Sequence, residues 1–177
     1  MIHFLKHELK ESEKELLLAE SYFDALVKKY TNARIVGIED EDLRKLVSKE
    51  KSKKGLIVSA QICWTKKKIE FIKKVLDELN KNDGSLSEDF LEELEELIED
   101  EKDKVTGYTS LFTLSTRSHM SALHSKAKPN PYGENASLEE IEEFADEHEE
   151  NVLSTAYDLH FLASMIFLYE EVFRAFK

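Results

Sequence analysis

Two residues suited to handling a phosphate bracket the stretch RSHMSALH: Arg117 opens it and His124 closes it. On a helix, seven positions bring two side chains onto nearly one line, about 10 Å apart, with Ser121 between them. A guanidinium is a permanent cation whose planar fork neutralises and orients a phosphate. An imidazole titrates near neutrality and can move a proton. The pair stands just before the loop-like SKAKPNPYG, which predicts an open helix end rather than mid-bundle burial.

The charge pattern favours an anion at this place. The chain carries −12 overall, yet no acidic residue occurs between Lys104 and Gly133, where Lys104, Arg117, Lys126 and Lys128 are basic. From Leu43 to Lys81 twelve Lys/Arg stand against four Asp/Glu, so that segment is positive within an acidic protein. The field beside a site matters more than the total, and a local anion site is compatible with the net charge. Lysine runs such as KEKSKK also serve as plain solvated faces.

The elements that must hold these residues are helical. With two prolines and five glycines in 177 residues, and an abundance of Leu, Glu, Lys and Ala, the composition predicts an all-α single domain spanning 1–177. A 3-4 spacing runs Leu5, Leu9, Ser12, Leu16, Ala19, Phe23, Leu26, Tyr30, which predicts a first long helix. Asp40 is placed to cap a short helix through Val47, followed by a flexible basic loop. The second long stripe runs from Val58 to Leu79 and closes at Asn82-Asp83-Gly84. Ser85 and Glu88 read as a capping box for a third helix, with the seam Leu94, Ile98, Glu101, Val105, Tyr108, Phe112, Ser115, His119, Ala122. Gly107 is where that helix can kink. After KPNPYGEN, Ser137 and Glu140 form a second capping box, and the last stripe runs from Leu138 to Phe176. Short turns between long helices predict an antiparallel up-down bundle of four long helices plus a short one.

Residues 157–176 are apolar on more than one face, which predicts cover on two sides, including by a second subunit as a homodimer. Asp158, His160, Glu170 and Glu171 confine the apolar run to Phe161–Tyr169, too short for a membrane span. The opening Met1-Ile2-His3-Phe4 runs straight into charge, and with a lone Cys63 this predicts a cytoplasmic protein without disulfides. No metal or other cofactor is expected. His3 and His7 have zinc-like spacing without the accompanying glutamate, no Glu-x-x-His occurs, and His148 reads as a seam histidine. There is no glycine-rich phosphate loop and no nucleophile elbow.

Arg117, the polar Ser118, and His124 after six intervening residues resemble the signature of the HEPN superfamily, helical-bundle domains marked by an arginine, a polar residue and a histidine. The loop and final helix that follow match that layout. Ser118 departs from the commoner Asn, Asp or His. The resemblance implies a metal-independent endoribonuclease acting as a dimer in toxin-antitoxin or defence systems, with an antitoxin or defence-complex protein as a further partner. In the mechanism it implies, a ribose 2′-hydroxyl attacks the adjacent phosphate and expels the 5′-oxygen, leaving a cyclic phosphate and a free 5′-hydroxyl. His124 would assist proton transfer, Arg117 would stabilise the added negative charge, and Ser118 or Ser121 would hold a phosphate oxygen. Lys126 and Lys128 lie beside that site as further RNA contacts. Two such pairs meeting across a two-fold axis would supply both acid and base.

Two other classes fit the residues. One is a non-catalytic interaction module that docks a protein partner through the C-terminal helix. The other binds nucleic acid without cutting it, using Arg44, Lys45, Lys49, Lys51, Lys53, Lys54 and Lys66–Lys68 as a phosphate footprint. Trp64, Tyr108 and Phe112 are better placed as core than as stacking platforms.

Overall fold

The computed structural model describes the backbone of residues 1–35, 41–126 and 138–177, and within these the side chains outside 29–53, 56, 119, 121–148 and 150. The chain is all-α. Among the described residues four helices follow one another: α1 (Ile2–Ile35), α2 (Glu41–Lys81), α3 (Glu88–Lys126) and α4 (Leu138–Phe176). Helix α1 packs on α2, α3 on α4, and α2 on α4.

The seams read from the sequence are the buried faces. Leu5, Ser12 and Ala19 of α1 are buried, as are Val58, Thr65, Ile69, Ile72 and Leu79 of α2. Burial is densest where the first turns of α1, the last turns of α2, the start of α3 and the end of α4 come together. There Leu5, Ile72, Val75, Leu94, Met165, Leu168 and Val172 share one core. Phe71 meets the Tyr169 ring edge-on at 4.4 Å in the same cluster.

Two expectations need correction. The short helix and basic loop before Val58 are absent: α2 is continuous from Glu41. The Lys and Glu of KEKSKK are good helix formers, and a Cβ at Gly55 would meet nothing within 4 Å, so no steric conflict breaks the helix there. The cap of α3 is Ser87, not Ser85, because the Ser87 hydroxyl accepts the Phe90 amide at 3.3 Å. That hydroxyl also donates to Glu78 at 2.6 Å, across the turn. The turn itself is as read, with Asp83 and Gly84 at φ 51 and 89° and the Gly84 amide donating to the Leu79 carbonyl at 2.7 Å. As the unbroken seam predicts, α3 passes through Gly107 as one helix. The second capping box, at Ser137 and Glu140, lies outside the described residues.

The excess apolar surface of residues 157–176 is largely covered within the chain. Leu162, Met165, Leu168, Tyr169 and Val172 are all buried, while Phe167 is 61% exposed. Helices α2 and α3 supply the cover on two sides. By length and composition, Asn151–Phe176 is the one candidate membrane span among the described residues. The same residues furnish α4's share of the core.

Candidate functional site

The second half of α3 is rich in Ser and Thr, residues that ordinarily compete with helix geometry. Here they bond back into the helix: the hydroxyls of Thr109, Ser110 and Thr113 donate to the carbonyls of Val105, Thr106 and Thr109 at 2.7, 3.0 and 2.8 Å. The helix therefore persists with its seam turned inward. Val105, Tyr108, Phe112 and Ser115 are half-buried on that side. The far side is open: Leu111 (54%) and Leu114 (59%) are more than half exposed there, and Met120 (59%) is exposed on the other flank of the seam.

Arg117 belongs to the open side. It is exposed and has no ion-pair partner among the described residues, with half-buried Ser118 beside it. His124 continues the same helix seven residues on, so the backbone of α3 carries both members of the pair, about 10 Å apart along the axis. The side chains of Ser121, His124 and Lys126, and all of Lys128, lie outside the described residues, as does His148. The Thr116 hydroxyl next to Arg117 is shielded from solvent without a hydrogen-bond partner.

Polar geometry that sequence reading did not anticipate lies elsewhere. Glu170 accepts from Lys102 at 2.6 Å and from Arg174 at 2.8 Å, joining α3 to α4. The hydrogen bond from Lys102, and then Arg174, hold its carboxyl below the usual range. Glu101 bonds Lys104 at 2.8 Å and raises the lysine's pKa. Burial, with Glu101 nearby, pushes the Tyr169 phenol up to about 12. These are structural ion pairs and a core tyrosine; none combines a nucleophile with a base.

A groove of about 560 Å³ runs between α1, α2 and α4, lined by Phe4, Phe167, Ala163 and His160, with the Lys68–Glu8 ion pair (2.7 Å) at its wall. Its residues come from three helices, so no local motif signals it. A smaller cleft of about 300 Å³ holds the Glu170 ion pairs. Among the described residues no group of three or more His, Cys, Asp or Glu is arranged to hold a metal ion, and His3 and His7 are exposed.

No protein-family model, curated protein or solved structure gives a match to this chain.

Proposed function

We propose that this chain is a helical assembly module whose work is protein–protein contact. One observation carries this reading: Leu111 and Leu114, one turn apart, stand more than half exposed on a side of α3 turned away from the seam. Large apolar side chains grouped on one open helix face are characteristic of surfaces that a partner covers. On this reading the helices run alternately up and down. The ion pairs support it: from Glu95 to Lys102 on α3 their partners step back from Lys177 to Glu170 on α4. From Glu13 to Glu20 on α1 the partners likewise step back from Lys73 to Lys66.

A second reading is favoured by Arg117, exposed, without an ion pair, and on the helix that carries His124. It is the HEPN-like, metal-independent endoribonuclease, cytoplasmic, acting on RNA as a dimer in a defence or toxin-antitoxin setting. One experiment separates the two. Purified full chain and Arg117→Ala and His124→Ala variants are incubated with total RNA, with and without EDTA. The assembly reading expects intact RNA in every lane. Cleavage that survives EDTA and disappears with Arg117 or His124 would overturn it in favour of the nuclease.

A further inference from the structure

We infer that the outer face of α3 is a self-complementary interface that pairs two copies of this chain antiparallel about a two-fold axis. The inference rests on the assembly reading and names the partner as a second copy.

The face is a single line of 3-4 steps: Glu96, Asp100, Asp103, Gly107, Leu111, Leu114, Arg117. All seven are exposed. It spans 22 residues, or about 33 Å of helix. Its charge is divided. The N-terminal end is acidic, the C-terminal end carries Arg117 in the stretch without carboxylates, and the middle is glycine and leucine. Among the described residues none of Glu96, Asp100, Asp103 and Arg117 has an ion-pair partner. By contrast, acids on the other sides of the helix, Glu93, Glu95 and Glu101, are paired with lysines.

That division selects both the occupant and its orientation. A parallel in-register copy would set acid on acid and Arg117 on Arg117, which like-charge repulsion disfavours. An antiparallel copy with its axis near residues 108–110 sets each Arg117 within about a turn of the partner's Asp100 and Asp103. Both charged ends are satisfied at once. The two Leu111–Leu114 pairs then close over the centre, where Gly107 has open space around its Cα: a Cβ there would meet nothing within 4 Å. A glycine at that level lets two backbones approach closely. This is an isologous contact, in which one patch recognises itself. In this register the two Arg117 residues are roughly 20 Å apart along the axis, so the interface uses them as anchors and not as a shared site.

The test is sedimentation equilibrium of the full chain, with helicity checked by circular dichroism. Wild type should be a dimer and Leu114→Glu a monomer of unchanged helicity. Arg117→Glu should weaken the dimer by about tenfold or more, as should Asp100→Lys with Asp103→Lys, and combining all three should restore it. In a Cys63→Ser background, Ser110→Cys should be joined to its own copy by a short bis-maleimide, and Ser59→Cys on α2 should not. A monomeric wild type overturns the inference. So does a dimer that the reversals leave intact, that the triple variant fails to recover, or that shows no link at position 110. Each of these leaves the assembly reading standing, since only Arg117- or His124-dependent RNA cleavage removes that.

Discussion

The indole Nε1 of Trp64 donates a hydrogen bond to Asp158 Oδ1 at 3.0 Å, tying α2 to α4. The Trp64 ring is stacked near Phe161, with centroids 6.5 Å apart, and the ammonium of Lys67 sits 4.3 Å from the ring centre. Because this is the protein's only tryptophan, its fluorescence reports this contact alone. Asp158→Ala should remove a part-buried hydrogen bond to a charged acceptor, costing about 1–2 kcal/mol, and should shift Trp64 emission to longer wavelength. Urea unfolding followed by fluorescence and by circular dichroism measures both. An unchanged spectrum would show that the indole does not depend on Asp158.

That contact also shows what sequence could and could not reveal. The periodic seams identified Ser12, Thr65 and Leu162 as inward residues because burial of a helix face follows its own 3.6-residue repeat. Trp64 lies beside the α2 seam, and its partner is 94 residues away, beyond any local pattern. The same limitation explains the cap of α3. Ser85 and Glu88 satisfy the local rule, but Ser87 also reaches Glu78 on the preceding helix, and the tertiary bond decides. On α4 the apolar residues were legible while their cover was not, since α2 and α3 together occupy what a single stripe leaves over. Arg117 was legible as an exposed cation near a helix end; that neither it nor Glu96, Asp100 and Asp103 has an ion-pair partner among the described residues is readable only in the structure.

Met165 and Phe167 lie two residues apart on α4 and should respond oppositely to charge. Met165 is 3% exposed and belongs to the common core, so Met165→Asp buries an unpaired carboxylate and should cost several kcal/mol, about 3–5, with insoluble protein as the outcome. Phe167 is 61% exposed, and Phe167→Asp should stay folded within about 1 kcal/mol. Thermal melts and the soluble fraction decide this. Sedimentation of the Phe167 variant adds a second result: if it becomes monomeric, residues 157–176 form a subunit contact; if it remains a dimer, the contact lies elsewhere.

Ser12 is 1% exposed in the contact of α1 with α2, and its hydroxyl has no hydrogen-bond partner. Ser12→Ala removes the cost of that buried hydroxyl and improves helix propensity, so it should stabilise the fold by about 1 kcal/mol. Ser12→Leu forces extra volume between two packed helices and should destabilise by about 1–3 kcal/mol. A denaturation midpoint that falls for the alanine variant would show that the hydroxyl is satisfied in solution.

Glu78 joins the last turn of α2 to the start of α3. Its carboxylate accepts hydrogen bonds from the Ser87 hydroxyl at 2.6 Å and the Asn82 amide at 2.8 Å. The bond from Ser87 is the largest cause of a pKa held below the ordinary 4.5, with Asn82, Lys81 and Lys74 adding to it. A carboxylate whose folded pKa lies below its unfolded value stabilises the native state above the unfolded pKa. That contribution is lost as pH falls through the folded one. The α2–α3 turn should therefore loosen on acidification below about pH 4.5, and Glu78→Gln should flatten this part of the profile. Ser87→Ala should flatten it less, since Asn82 still donates, while also removing the N-cap at a cost of about 1 kcal/mol at neutral pH. Melting temperatures of the wild type and both variants from neutral pH into the acid range check the order. If Glu78→Gln follows the wild-type curve throughout, the acid sensitivity belongs to other carboxylates, with Glu170, held down by Lys102 and Arg174, the next to replace.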